Sequence, residues 1–231
     1  MGDDGDADAV GLDERLAAVR AGIADAAAQA GRSAADLTLI VVTKFHPTSL
    51  VRQLHVLGVT DFGESRHQEA VVKAAELDDL GADWHFVGQL QSKKARVVTA
   101  YAHVIHSVDR DSVIDALGSP DRQTDVFLQL NLTDEPGRGG IDLADVERVA
   151  DRIGGTPGLT LLGVMAVAPL GQEPRRAFTR VREASVRVRA GHPLATSISA
   201  GMSGDYREAI LEGATHLRIG SAITGNRPPA G

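Results

Sequence analysis

Lys44 is the residue of this chain best placed for covalent chemistry. It closes the apolar run 37–43, whose β-branched residues predict a strand buried on both faces. With a side-chain period of two, Lys44 shares a face with Ile40 and Val42. Apolar surroundings disfavour the ammonium form, so the free amine would be available to form a Schiff base. The alternative is a strand-end lysine whose amine simply reaches solvent.

Arg218 is the second residue with chemical potential. It alternates with Leu217 and Ile219, so it takes the opposite face of a short predicted strand. If the two apolar residues face a layer of helices, Arg218 points into the interior. A buried guanidinium needs an acceptor. That acceptor is either a structural carboxylate or a heteroatom of a ligand, and the sequence leaves both open.

Two segments rich in glycine and serine, 199–204 and 220–221, follow the last two predicted strands. Small residues let backbone N–H groups approach an anion, although strands must end in turn residues anyway. In TIM-type barrels the loops after strands seven and eight commonly bind phosphate. A lysine, an arginine and a phosphate cradle together describe an aldehyde phosphate. Pyridoxal 5'-phosphate (PLP) fits, because its ring nitrogen commonly has an Asp or Arg partner.

Strand-like and helix-like runs alternate along the chain, after an amphipathic helix predicted over 12–30. The predicted strands are 38–43, 59–62, 84–88, 103–108, 126–131, 159–164, 195–199 and 216–220. The predicted helices between them are 48–57, 65–78, 92–100, 110–117, 142–153, 173–189 and 204–212. Eight βα units in one α/β domain favour a single closed (β/α)8 TIM-type barrel with an extra N-terminal helix. An open flavodoxin-like or Rossmann sheet is the alternative, but no G-x-G-x-x-G follows the first strand.

Composition excludes several classes of function. The chain has 231 residues, a formal net charge of −7 and no cysteine. An acidic chain without a basic stripe predicts no nucleic-acid partner, and the lack of cysteine excludes disulfides and thiol catalysis. The eight histidines show no metal-ligand spacing, and no apolar run is long enough to span a membrane. We therefore expect a cytoplasmic protein without a metal site.

The domain limits follow from composition. Residues 1–10 are acidic and without periodicity, which predicts a disordered tail. Residues 11–226 are expected to form the PLP-binding barrel. Residues 227–231, which include two consecutive prolines, are expected to form a short C-terminal tail.

Seven ordered motifs resemble the pyridoxal-phosphate homeostasis protein family, whose fold is similar to the N-terminal barrel of alanine racemase. The motifs are VVTKFHP (41–47), DFGESRHQEA (61–70), WHFVGQLQSKKA (84–95), IHSVD (105–109), GVMAVAP (163–169), SISAGMSGDYREAI (197–210) and GATHLRIGSAITG (213–225). They are spread from residue 41 to residue 225, which is nearly the whole predicted folded chain. The resemblance implies intracellular PLP buffering or delivery, with PLP-dependent apo-enzymes as possible partners and a monomer or weak dimer as the oligomeric state.

The resemblance also implies a role for each matching residue. Lys44 would carry the Schiff base, Arg218 would face the pyridine nitrogen, and Met165 would lie near the cofactor. The phosphate would be surrounded, largely through backbone amides, by Ser199, Gly201, Met202, Gly220 and Ser221. Two positions depart from the family pattern. Ser65 and Lys93 stand where asparagine is usual, which puts the contribution of Ser65 to the cofactor site in doubt.

The resemblance favours a carrier over an enzyme. A PLP racemase needs a base on each face of the substrate, and alanine racemase takes one from a tyrosine of a second domain. The tyrosines here are Tyr101 and Tyr206, and Tyr206 is expected at the surface or rim. An arginine at the ring nitrogen also weakens the electron sink. A PLP-dependent racemase or lyase is the alternative, and a class I aldolase-like enzyme acting through Lys44 on a sugar phosphate is the third hypothesis.

Overall fold

A computed structural model describes residues 11–133 and 138–225. The two predicted tails, 1–10 and 227–231, lie outside the described residues. Eight parallel strands form a closed barrel in which each strand pairs with its neighbours in chain order. They are β1 (Thr38–Val42), β2 (Asp61–Glu64), β3 (Asp83–Phe86), β4 (Val104–Val108), β5 (Thr124–Gln129), β6 (Leu159–Met165), β7 (Ser197–Ser199) and β8 (His216–Ile219).

Helices follow the strands around the outside of the barrel. They are α1 (Leu12–Gln29), α2 (Thr48–Val56), α3 (His67–Glu76), α4 (Ala95–Val98), α5 (Asp111–Leu117), α6 (Val146–Gly154), α7 (Pro174–Gly191), α8 (Tyr206–Leu211) and α9 (Ser221–Thr224). Short 3-10 turns occur at Ala34–Asp36, Asp78–Leu80, Ser92–Lys94 and Leu143–Asp145. The (β/α)8 prediction and the extra N-terminal helix are therefore confirmed.

Pairing between the first and last strands rules out the open-sheet alternative. β1 is in register with β8 from Thr38 opposite His216 to Val41 opposite Ile219. In an open doubly wound sheet, β1 and β8 would not pair with each other, and the sheet would have two unpaired edges. Closure removes every edge, so all strands can be buried on both faces.

Several element boundaries differ from the sequence prediction. Strand β2 lies at 61–64 instead of 59–62, because Gly63 and Glu64 continue the ladder opposite His85 and Phe86. Strand β5 begins at Thr124 and ends at Gln129, two residues earlier than predicted. The helix predicted over 92–100 is a 3-10 turn followed by the four-residue α4. These boundaries depend on the pairing of strands, which local apolar patterns do not encode.

An apolar layer lies between the strands and the helices, and we call it the outer core. Val41 of β1 and Ile219 of β8 contribute to it from the barrel, and both are fully buried. Phe178 and Val181 of α7 contribute from the helix side. The additional helix α1 joins the same layer through Leu16, Val19 and Ile23.

The barrel interior has a different composition. Gly63 of β2 faces Ile40 and Val42, since a Cβ on this glycine would lie 3.1 Å from a methyl group of each. Deeper in, the ring of Phe127 stacks on His106 at 4.6 Å between centroids and meets His216 edge-on at 5.1 Å. Polar side chains thus occupy space that aliphatic residues usually fill in such barrels.

Candidate functional site

Lys44 lies at the end of the barrel where the strands finish, but it is not enclosed by apolar side chains. Strand β1 ends at Val42, and Lys44 follows in a turn with its side chain exposed. Its Nζ atom lies 6.0 Å from the centroid of the Phe45 ring. The expectation of a lysine sharing the apolar face of the strand is therefore wrong, because the strand stops two residues too early.

The turn after Lys44 is held in an unusual conformation. Phe45 has φ 69°, a left-handed value that costs a non-glycine residue roughly 1–2 kcal/mol. Its N–H donates to Oε2 of Glu69 at 2.9 Å, and Glu69 also accepts from Arg66 at 2.8 Å. The Arg66 guanidinium lies 5.3 Å from the centroid of the Phe45 ring. The start of α3 therefore fixes the backbone on which Lys44 is carried.

A buried ion pair lies beside the same turn. Lys73 Nζ donates to Glu64 Oε1 at 2.6 Å and to the carbonyl of Thr43 at 2.7 Å. The Thr43 hydroxyl donates to the same Glu64 oxygen at 2.8 Å. Burial raises the pKa of Glu64, and the Lys73 charge opposes this only in part. The pair links the end of β1 to β2 and α3. Lys73 is therefore paired with Glu64, whereas Lys44 is not part of this ion pair.

Arg218 points into the barrel, as its alternation with apolar neighbours predicted. It is 4% exposed, and its guanidinium donates to Ser199 Oγ at 2.5 Å and to the Ala166 carbonyl at 2.9 Å. Within residues 11–133 and 138–225, no carboxylate forms an ion pair with it. The structural carboxylate that the sequence left open is therefore not found there. Burial lowers the pKa of Arg218 to about 10, while the charge of Asp205 acts in the opposite direction.

The loop after β7 requires glycine at position 201. Gly201 has φ +94°, and a Cβ there would lie 2.8 Å from the Ala209 Cβ and 2.9 Å from the Tyr206 Cα. Its carbonyl accepts from the Arg218 N–H at 2.9 Å, which joins this loop to β8. Met202 is 37% exposed, and its N–H donates to Asp205 Oδ1 at 2.6 Å. The loop is thus closely packed on one side and open on the other.

The loops after β7 and β8 meet through a serine that the sequence analysis did not select. Ser203 Oγ accepts from the Ala222 N–H at 3.2 Å and from the Ser221 hydroxyl at 3.3 Å. Gly220 lies against β1, since a Cβ on it would be 3.4 Å from the Val42 carbonyl. The two glycine-rich segments are therefore brought together next to the strand that precedes Lys44.

Ser65 and Met165 border the same end of the barrel from other strands. Ser65 follows β2 and is half-buried, and its carbonyl would be 2.1 Å from a Cβ on Gly88. It lines a cavity of about 190 Å³ together with Gln89 and Lys94. Met165 ends β6 opposite Ser199 and is 2% exposed. Lys93, the second departure from the family pattern, lies in the 3-10 turn before α4.

Ser199 differs from the other predicted phosphate residues, because its side chain lies wholly inside the barrel. It is 0% exposed and contacts Arg218 and His106. His106 in turn contacts His85, and a third histidine, His216, lies nearby. Neither His85 nor His106 is among the site residues predicted from the sequence. The available signal was that these histidines recur within strands at positions that could share an inward face.

The interior histidines are electrostatically constrained. Burial, followed by the charges of His85 and Arg218, places the pKa of His106 well below its ordinary value of 6.5. Burial and then the His85 charge lower the pKa of His216 to about 4. Both imidazoles are therefore neutral at pH 7.

Neither a metal site nor a membrane segment is found in the part of the chain that the structure describes. No group of three or more His, Cys, Asp or Glu side chains is arranged to hold a metal ion there. None of the described helices is both long and apolar enough to cross a bilayer.

Residues 15–228 match the alanine racemase N-terminal domain. The chain belongs to that family. The pyridoxal phosphate homeostasis protein of Corynebacterium glutamicum is 41% identical over 210 residues, covering 86% of this chain and 94% of the relative. The resemblance drawn from the seven motifs is therefore confirmed.

Two solved structures of similar proteins agree with the barrel. PipY of Synechococcus elongatus, solved with PLP bound, superposes with a TM-score of 0.82 at 32% identity, covering 93% of this chain and 100% of PipY. Alanine racemase of C. glutamicum superposes with a TM-score of 0.70 at 17% identity, covering 94% of this chain but 63% of the racemase. At that identity the second likeness shows the fold alone.

Proposed function

We propose that this chain binds PLP as a Schiff base on Lys44 and acts in PLP homeostasis, buffering or delivering the cofactor without robust turnover. The observation that carries the proposal is the convergence at one barrel end of three features. An exposed amine follows β1, a buried guanidinium without a carboxylate partner among the described residues lies on β8, and glycine-rich loops follow β7 and β8. Relatives named for PLP homeostasis and the PLP-bound PipY support it.

The residues fit PLP in charge and shape. PLP supplies an aldehyde for an amine and an electron-withdrawing ring. Arg218 retains donor hydrogens beyond its two protein contacts and is proposed to face the pyridine nitrogen. Gly201 lets the loop after β7 pack directly on Ala209 and Tyr206, and the amides of Gly220 and Ser221 are proposed to bind the phosphate.

The remaining predicted residues are proposed to support or border the cofactor. Ser199 acts through its hydrogen bond to Arg218, since its hydroxyl is turned inward. Met202 borders the phosphate with its amide bonded to Asp205. Met165 and Ser65 are proposed to border the ring from β6 and β2.

The positions of the two tyrosines favour a carrier. Tyr206 is 9% exposed, and its hydroxyl would lie 2.2 Å from a Cβ on Gly22 of α1. It therefore packs under the additional helix, and the expectation that it lies at the surface or rim is wrong. Tyr101 lines an outer cleft between α3 and α4 and stacks on His67. Neither phenol lies on the inner face of the barrel, where a racemase would need its second base.

One observation supports the racemase or lyase alternative. His46 lies two residues after Lys44 and is half-buried. Burial and then the charge of Lys73 lower its pKa below 6.5. A neutral imidazole can accept a proton, and His46 lies close along the chain to the proposed Schiff base, so it is suited to act as a general base. Racemisation or lyase activity that disappears in His46→Gln would favour this second function.

The small number of lysines makes the proposal testable at residue level. The chain has four lysines, at positions 44, 73, 93 and 94. We expect added PLP to give a visible absorption band in the wild-type protein and in Lys93→Ala, but not in Lys44→Ala. Borohydride reduction followed by peptide mapping should place the pyridoxyl group on Lys44. A band that persists in Lys44→Ala, or a label on Lys94, would contradict the proposal.

Further measurements separate the three functions. A carrier should transfer PLP to a PLP-dependent apo-enzyme faster than free PLP of equal concentration activates it, and should not racemise or decarboxylate amino acids. Turnover at ordinary enzymatic rates, on the order of 1–1000 per second, would identify an enzyme. A Schiff base with a sugar phosphate and no visible band would indicate the aldolase-like function. We further propose a cytoplasmic location and a monomer or weak dimer.

A further inference from the structure

The barrel interior contains an unbroken series of side-chain hydrogen bonds that we call the barrel relay. It consists, in order, of Asp61, His85, His106, Ser199 and Arg218. The four heavy-atom distances along it are 3.1, 3.0, 2.8 and 2.5 Å. The relay crosses the barrel from the start of β2 to Arg218 on β8, and its members come from five strands.

Its two ends differ in what they can do. A guanidinium only donates hydrogen bonds, and an ionised carboxylate only accepts them. Burial acts to raise the pKa of Asp61, but hydrogen bonds from His85 and Thr60 outweigh it and hold that pKa below its ordinary value. Asp61 is therefore ionised at neutral pH. Because Arg218 can only donate and Asp61 can only accept, all hydrogen bonds of the series can be donated in one direction, from Arg218 towards Asp61.

That direction fixes each hydrogen between the two ends. Arg218 donates to Ser199 Oγ, and in this direction the Ser199 hydroxyl gives its own hydrogen to Nδ1 of His106. His106 then carries its hydrogen on Nε2 and donates it to Nδ1 of His85. His85 carries its hydrogen on Nε2 and donates it to Asp61. In this arrangement each imidazole carries one hydrogen, every donor has an acceptor and no hydrogen is in excess.

The opposite direction requires one more proton. If His106 carried its hydrogen on Nδ1, it would donate to Ser199 and would accept from Nδ1 of His85. His85 Nε2 would then face the Asp61 carboxylate with a lone pair, unless that nitrogen were also protonated. The two complete states of the relay thus differ by one proton on His85. In the protonated state the Ser199 hydroxyl hydrogen must leave His106 and turn to another acceptor.

The proton has a route to the relay from the barrel floor. The Asp61 side chain is 23% exposed and lines a cavity of about 400 Å³ under α1, together with Thr60 and Leu39. His106 is fully buried and stacked on Phe127, so water reaches the relay more readily from the Asp61 end than through its middle. The other charged or titratable groups that act on it are His216 of β8 and Asp205 beside Arg218.

We propose that the barrel relay is a positioning device in which the Asp61 carboxylate at the floor fixes the direction of the Ser199 hydroxyl, and through it whether Ser199 Oγ accepts from Arg218 alone or from Arg218 and His106 together. Asp61, His85 and His106 are positioning residues, since they act on the site through Ser199. The inference rests on the proposed function only where it assigns the pyridine nitrogen of PLP to Arg218. The relay itself belongs to the protein without cofactor.

The first test is nitrogen NMR of the histidine side chains in the protein without PLP. We expect the Nε2–H tautomer for His85 and His106 in the wild type. Asp61→Asn places an amide at the floor, which can donate or accept, so about half of the molecules should show the Nδ1–H tautomer at His106. A charged His106 or an Nδ1–H tautomer in the wild type at neutral pH, or an unchanged spectrum in Asp61→Asn, would overturn the proposal.

Two matched controls exclude general structural effects. Thr60→Val removes the other side-chain hydrogen bond to Asp61, which is 2.6 Å long, and leaves the relay intact. His216→Gln removes an interior imidazole that contacts Phe127 but has no hydrogen bond to the relay. Both should retain the Nε2–H tautomer of His106. A tautomer change in either control as large as that in Asp61→Asn would mean that packing, not direction, sets the tautomer.

A second arm uses the wild type alone and so does not depend on folding of a variant. If the relay takes up a proton on acidification, His106 should stay neutral and change from the Nε2–H to the Nδ1–H tautomer. With PLP added, Asp61→Asn should shift the absorption maximum and Thr60→Val should not. Absence of any Schiff-base band in the wild type would reject the proposed function, whereas a His106 that becomes charged without first changing its tautomer would reject the relay.

Discussion

The outer core and the barrel interior are built from the same eight strands but follow opposite rules. The outer core is filled with aliphatic and aromatic side chains from both strands and helices, such as Val41 and Phe178. The interior combines Phe127 with three histidines and Arg218, and its order comes from hydrogen bonds with defined donors and acceptors. The strands that carry these polar residues therefore contribute stability on one face and directional chemistry on the other.

The difference has an energetic basis. Apolar contacts are not directional and tolerate exchange of side chains of equal volume, while buried polar groups lose stability whenever one partner is missing. The outer core should thus respond to changes in volume, and the barrel interior to changes in protonation and donor pattern. The predictions below test that contrast, beginning with the largest effect.

Removing a large side chain from the outer core should have the greatest effect on stability. Phe178 of α7 is 2% exposed, so Phe178→Ala should lower the free energy of unfolding by about 3–5 kcal/mol. The control is Val186→Ala in the same helix, because Val186 is 60% exposed and should change stability by less than about 0.5 kcal/mol. Urea denaturation monitored by circular dichroism measures both. Equal losses in the two variants would contradict the assignment of Phe178 to the outer core.

Acid should act on the barrel interior through its neutral histidines. The pKa of His216 is 6.5 in an unfolded chain and about 4 in the folded protein, so between these values the unfolded state binds more protons. Stability should therefore fall as pH falls through this window, by about 3 kcal/mol from His216 alone. The difference in unfolding free energy between wild type and His216→Gln, measured at pH 7 and pH 4.5, isolates this contribution. A difference that does not vary with pH would show that the interior histidines are hydrated.

The loop after β7 joins the two regions, and its two glycines should respond differently. Gly201→Ala forces a side chain into a left-handed conformation and against Ala209, which should cost about 1–3 kcal/mol and weaken PLP binding. Gly204→Ala in the same loop places a Cβ where no atom lies within 4 Å, so it should change neither property. Thermal unfolding and the PLP absorption band report the two effects. Loss of PLP binding in both variants would indicate that the loop acts through its flexibility.

The same contrast explains which features of the fold could be predicted from sequence. Strands buried on both faces appear in the sequence as apolar runs, so eight βα units and a closed barrel could be predicted from it. The position of β2 could not be predicted, because the strand includes Asp61 and Gly63, residue types that do not favour strands. The end of β1 at Val42 was also not visible, and it leaves Lys44 exposed.

For the candidate site, the sequence located residues but not their connections. Lys44, Arg218 and Gly201 could be selected because each follows or interrupts an apolar run. The barrel relay could not be predicted, since it depends on the register between strands that are distant along the chain. Nothing local to His85 or His106 indicates that their rings lie 5.3 Å apart between centroids.

The smallest predicted effect on stability concerns the N-terminal cap of α7, a helix that also packs in the outer core. The Glu173 carboxylate accepts from the N–H groups of Arg175 and Arg176 at 3.0 and 2.8 Å, which satisfies two donors that the first turn of α7 leaves unpaired. Glu173→Ala should therefore cost about 1 kcal/mol, and Glu173→Gln less, since an amide oxygen still accepts. Because α7 also carries Phe178, the ratio of the two losses measures how far burial exceeds capping within one helix. A Glu173→Ala loss as large as that of Phe178→Ala would mean that α7 is held mainly by its first turn, and the distinction between a volume-sensitive outer core and a hydrogen-bonded interior would no longer hold.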